Sequence, residues 1–207
     1  MTVSHKAKVV VQYLVPASTA YFLLGAYLVT GVLEQGELKK GLGYLAVATV
    51  VTTLVQDIIP KPVKEAWVFL RARHRLPGYR AFTNAASHPD RIDTARISEY
   101  ATLRDERPDV QQRSFYQVFK RNADKPNVEH YSFRYLAWRD TSALLLLLSL
   151  VTVPAWALSE TDIPLRPTVW LSGLTLLASV LTATAARQMG NELVVQVLST
   201  ETLGETK

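Results

Sequence analysis

Four histidines (His5, His74, His88, His130) and 18 carboxylates are the chain's candidates for acid–base or metal chemistry. The histidines are scattered at no metal-ligand spacing, and there is no HExxH, no phosphate-cradling glycine loop and no Ser/His/Asp set. Cysteine is absent, which excludes thiol nucleophiles, thiolate metal sites and disulfides. Asp90-Arg91-Ile92-Asp93 offers two carboxylates three residues apart, a pattern that caps helices more often than it holds a metal. The residue types therefore predict a protein that is not an enzyme and carries no cofactor.

Other residues suggest binding rather than reaction. Arg71-Ala-Arg73-His74-Arg75, with Arg80 nearby, is the densest basic cluster. Guanidinium groups just beyond an apolar segment attract anionic lipid headgroups or an acidic partner; the plainer alternative is a solvated, topology-setting helix face. Nucleic acid is not expected, because no nucleic-acid-reading motif accompanies the cluster. Ser172, Thr175, Ser179 and Thr182 form a hydroxyl stripe at helical spacing, and Thr49, Thr52, Thr53 and Gln56 form a weaker one. Such stripes either pack helices together or line a wet path, packing being the commoner use. Gly25, Gly41, Gly43 and Gly173 also favour close helix approach. Asp57 is an acid at the end of an apolar run, where it is either a functional group or the ion-pair partner of Lys61, Lys64 or Arg139.

The elements that must hold these residues are segregated by polarity. The runs 9–33, 141–159 and 167–186 contain no charged residue, and in 41–60 the one charge is Asp57. Roughly 20 apolar residues cross a bilayer, so the expected fold is an all-α integral membrane protein with four transmembrane helices in two hairpins. Hairpin one occupies residues 1–60 and hairpin two residues 141–207, the latter ending in a short C-terminal tail. Lys and Arg crowd the 61–140 side of the spans, while the 34–40 and 160–166 loops carry few. The positive-inside rule then puts both termini and the insertion in the cytoplasm of a bacterial inner-membrane, multi-pass protein. Trp156 and Trp170 fall at one interface and Trp67 and Trp138 at the other. Pro16 and Pro154 lie inside spans.

Residues 61–140 are a basic helical domain with 16 Lys/Arg against ten Asp/Glu. Its pattern predicts a helix over 64–76, ended by Pro77-Gly78, and a short helix over 94–103 capped by Asp93. A third helix opens at Arg107-Pro-Asp109, with Val110, Phe115, Val118 and Phe119 near one face. A fourth, from Asn127, runs without a break into the third span. No alternating strand pattern appears. Phe69, Leu70, Tyr79, Phe82, Ile92, Ile97, Tyr100, Leu103, Phe115 and Phe119 are the expected core. A domain of this size is marginal alone, which points to further contacts, a homo-oligomer among them.

The run from Phe69 through Leu76-Pro77-Gly78-Tyr79 to Phe82, the Asp90–Asp93 segment, Phe115-Tyr116 with Phe119-Lys120, and Phe133–Asp140 leading into a span carry a resemblance. Over roughly residues 65–145 the chain resembles small four-pass bacterial inner-membrane proteins encoded beside anti-phage defence genes. The resemblance implies a membrane effector or sensor, oligomeric and channel-like, working with membrane lipids and a cytosolic protein partner. The alternative is a non-conducting anchor or adaptor that docks such a partner.

Overall fold

The computed structural model describes residues 10–30, 58–97, 100–158 and 165–204, and among these every regular element is helical. A π-helical turn, Val10–Leu14, leads into α1 (Val15–Thr30). Next come α2 (Lys61–Phe69), a 3-10 turn (Pro77–Arg80) and α3 (Ala81–Ala85). A second 3-10 turn (Thr94–Arg96) precedes α4 (Tyr100–Asp105) and α5 (Pro108–Asn122). Two long helices follow, α6 (Pro126–Leu158) and α7 (Leu165–Gly204). The chain divides into two compact units, residues 1–64 with 136–184, and residues 65–135 with 185–207. Both long helices contribute residues to both units.

The first unit contains α1 and the apolar stretches of α6 and α7. Its buried residues are small or hydroxylic as often as aliphatic: Ser18, Ser142, Ser149, Thr168, Thr175, Ser179, Ala143 and Ala183 are inside. Tyr21 meets Thr152 at 2.6 Å between hydroxyl oxygens, and Tyr13 packs edge-on to Trp138 at 5.7 Å between ring centroids. Gly25 lies where a Cβ would come within 3.2 Å of Leu171. Gly173, expected to permit close approach as well, has nothing within 4 Å of the position a Cβ would take.

The second unit has a conventional apolar core. Ala81, Phe82, Ala85, Ile92, Ile97, Phe115, Val118 and Val128 pack with Val194, Val195, Val197 and Leu198 of α7. On α5 the buried positions are Gln111, Phe115, Val118 and Asn122, a helical stripe that turns one face inward. Pro108 starts that helix and Asp109 sits in its first turn, where a missing N–H costs nothing and an acid is favoured by the helix dipole. Gly78 is pressed against α5: a Cβ there would meet Phe115 at 2.6 Å and Gln112 at 2.3 Å.

Several expectations are corrected. Four membrane-crossing helices are not found: among the described residues two, α6 and α7, are long and apolar enough to cross a bilayer. The expected span 9–33 is described over residues 10–30, as the π-helical turn and α1, and is not one of those two. The expected span 41–60 lies outside the described residues except for its last three. The two-hairpin fold falls with the four spans. So does the multi-pass inner-membrane placement with both termini cytoplasmic, together with the channel-like effector and the docking adaptor built on it.

Local readings shift too. The helix expected over 64–76 stops at Phe69, because Leu70 and His74 both take left-handed backbone angles, φ 49° each, which an α-helix cannot accommodate. Leu70, expected in the core, is 66% exposed. The segment 94–103 divides into the 3-10 turn and α4, although Asp93 does cap the turn by accepting from the Ala95 N–H at 3.2 Å. Residues after Ala186, expected as a short tail, continue α7 and supply four aliphatic side chains to the second core.

Candidate functional site

Three places within the units gather the polar residues singled out by the sequence. The first is the hydroxyl stripe of α7. Ser179 Oγ donates to the Ser142 carbonyl at 2.7 Å, and Ser172 Oγ to the Ser149 carbonyl at 2.8 Å, both on α6. Thr175 Oγ1 turns back to the Leu171 carbonyl at 2.7 Å, and Thr182 Oγ1 to the Ala178 carbonyl at 2.8 Å. Two of the four hydroxyls thus bond across to α6 and two bond within α7. Small side chains let the two backbones come close enough for the cross-helix pair. Thr49 and Thr53, the weaker stripe, lie outside the described residues.

The second place is an ionic cluster in the first unit. Asp140 Oδ1 lies 3.4 Å from Lys64 Nζ and 2.9 Å from Arg139 Nη2, with the Lys64 side chain 5% and the Asp140 side chain 11% exposed. Lys64 and Arg139 were two of the three expected partners of Asp57, with Lys61; both pair with Asp140, and Asp57 lies outside the described residues. A carboxylate buried between cations holds α2 to α6, because losing it would leave positive charge in a poorly hydrated site. Asp140 was legible as the last acid before the charge-free run of α6. Its partner Lys64 was not, being far away in sequence.

The third is the basic cluster, which forms a loop and not a helix face. Arg71, Ala72, Arg73 and His74 are exposed, as is Arg80 after the following turn. Arg75 Nε donates to the Ala72 carbonyl at 3.0 Å, closing the loop on itself. His74 lies 3.5 Å from Asp109 and 5.0 Å from the Tyr79 ring. The loop's base is tied down: Arg187 Nε donates to the Val68 carbonyl, and Phe69 packs on Tyr135 beside Gly190.

Elsewhere in the second unit, Arg91 grips both carboxylate oxygens of Glu192, at 3.0 and 3.4 Å. That hydrogen bond raises the guanidinium pKa above its ordinary value, against the opposing effect of desolvation. Sequence reasoning placed Arg91 with Asp90 and Asp93 and missed Glu192, which is 101 residues away. A cavity of about 290 Å³ opens between α5 and the end of α7, floored by Phe82, Val118 and Leu198. Its rim arginines are occupied, Arg96 by Asp93 and Arg121 by Glu201, both at 3.0 Å. Among the described residues no group of three or more His, Asp or Glu could hold a metal ion.

No family model matches this chain, and neither a curated protein nor a solved structure does.

Proposed function

We propose that the first unit is solvated by lipid acyl chains, so that the chain is a membrane-embedded protein carrying a folded, charged helical head. One observation carries this reading: the polarity of the first unit is inverted. Val169, Trp170, Leu174, Leu177 and Leu181 of α7 and Leu150 and Val151 of α6 are exposed, while Thr168, Thr175 and Ser179 of α7 and Ser142 and Ser149 of α6 are buried. In water such a face would be a large unfavourable patch; in lipid it is the ordinary outside of a helix pair, and hydroxyls inside supply the packing. A soluble core helix is also apolar, but its apolar residues are mostly covered. Only 33% of the most apolar stretch of α6 and 22% of that of α7 are buried.

The role supported is therefore binding to membrane lipids, with no catalytic step assigned. The full chain expressed in bacteria should sediment with membranes and stay there through an alkaline carbonate wash. A carbonate-soluble chain that runs as a discrete dimer would overturn the proposal, since a second copy would then be covering the apolar face.

A further inference from the structure

We propose that the loop Leu70–Arg75 recognises anionic lipid headgroups, with Leu70 entering the interface and Arg71 and Arg73 binding phosphate. This rests on the lipid-embedded reading of the first unit and adds a lipid class and a site to it.

Three observations converge on the loop. The first is its shape. Leu70 and His74 are the non-glycine residues with positive φ among those described, at 49° each. Left-handed backbone is costly for a branched aliphatic residue, and here it turns Leu70 outward to 66% exposure. A leucine held in an unfavourable conformation in order to face solvent gains nothing for the core. Contact with an apolar surface outside the protein would repay it.

The second is charge. Arg71 and Arg73 flank the tip, are exposed, and have no hydrogen-bond or ion-pair partner among the described residues. An acid beside the loop, Asp109, lies 3.5 Å from His74. Other arginines of the same unit, Arg91, Arg96 and Arg121, all have carboxylates at 3.0 Å. Guanidinium groups match phosphate with paired N–H donors.

The third is position along the chain. The loop begins two residues after Val68, whose carbonyl accepts from Arg187. Arg187 is the first charged residue after the uncharged run 167–186 of α7, which is where a helix leaving the hydrocarbon meets headgroups. Two residues of extended chain reach only about 7 Å, so Leu70 and Arg71 stay close to that level. Tyr135, packed against Phe69 beside the same point, has the amphipathic ring that an interface favours.

The chain contains no cysteine, so Ala72→Cys between the two arginines gives a single thiol for an environment-sensitive fluorophore. The full chain carrying it is reconstituted in phosphatidylcholine vesicles with increasing phosphatidylglycerol. The emission should shift to the blue as the anionic lipid is added, and the shift should reverse in high salt. The phosphatidylglycerol fraction at half-shift should rise about fivefold when Arg71→Gln is introduced and similarly for Arg73→Gln, following the attraction per basic residue near an anionic surface.

Leu70→Gly tests the wedge without endangering the fold, because glycine takes a positive φ at no steric cost. That variant should melt no lower than the parent while losing most of the blue shift. A parallel fluorophore at Leu177→Cys should be blue-shifted in both lipids. If the Leu177 probe reports lipid and the Ala72 probe stays in water, or is shielded equally without phosphatidylglycerol, the headgroup inference is overturned and the embedding reading stands. If the Leu177 probe itself reports water, both fall.

Discussion

The two units solve the same packing problem with opposite distributions of polarity. In the second, Phe82, Val128, Val197 and Leu198 are fully covered, and Arg91, Arg96 and Arg121 stand further out with carboxylate partners. In the first, Ser142 and Ser179 are fully covered while Leu177 is 56% and Leu181 63% exposed. A core built by expelling hydrocarbon from water needs large apolar side chains inside. A helix pair that gains nothing from hiding hydrocarbon needs small side chains, close backbones and cross-helix hydrogen bonds. On the lipid-embedded reading proposed above, each stretch of α6 and α7 is matched to its own surroundings. α7 changes over at Arg187: before it the buried stripe reads Thr168, Leu171, Thr175, Ser179, Ala183, and after it Val194, Val195, Val197, Leu198.

The largest effect should come from reversing the exposed face of the first unit. With Leu177→Arg and Leu181→Arg together, two charges would face acyl chains, at a cost of about 6 kcal/mol from insertion scales. The variant should leave the carbonate-washed membrane fraction. If water already bathed this face, the same changes would leave stability within about 0.5 kcal/mol and improve solubility. The two readings therefore predict opposite signs in one fractionation experiment.

Next in size is the conventional core. Phe82→Ala should cost the second unit about 3–5 kcal/mol through lost contacts and a residual cavity. Its helical signal should melt at a lower temperature. Membrane retention should be unchanged if the first unit alone holds the chain in lipid. Loss of membrane retention in Phe82→Ala would break the division between the units.

How much of this was legible in the sequence follows from the same contrast. The long helices announced themselves through uncharged runs, and α5 through the spacing of Phe115 and Val118. Asp93 was readable as a cap because capping is local. Four spans were expected because a charge-free run records composition alone; among the described residues two helices, α6 and α7, are long and apolar enough to cross a bilayer. The end of α2 was missed because Leu70 and His74 are not residues that signal a left-handed φ. The pairings of Arg91 with Glu192 and Lys64 with Asp140 were illegible because they join segments distant in sequence. The hydroxyl stripe was visible in the sequence, but only the structure shows which hydroxyls cross to α6 and which turn back on α7.

The smallest effect compares one bond type in both surroundings. Ser179 Oγ donates to the Ser142 carbonyl at 2.7 Å in the first unit, and the Tyr100 hydroxyl donates to the Phe82 carbonyl at 3.0 Å in the second. Ser179→Ala should cost about 0.6 kcal/mol, the average for such bonds between helices in lipid. Tyr100→Phe should cost about 1 kcal/mol in the head near neutral pH. Burial raises the Tyr100 pKa above its ordinary value, so the folded head keeps the phenol proton where the unfolded chain has already lost it. Above about pH 10, the usual tyrosine value, the unfolded state binds fewer protons at this position. This group's contribution to stability must then fall as pH rises. Melting of the head measured from pH 8 to 11 should show that decline in the parent and a shallower one in Tyr100→Phe, so the gap between them narrows with pH. Ser179→Ala has no titrating group to lose and should run parallel to the parent throughout. A Tyr100→Phe curve that also stays parallel would mean that the hydroxyl is hydrated, and the second core less closed around α4 than its packing indicates.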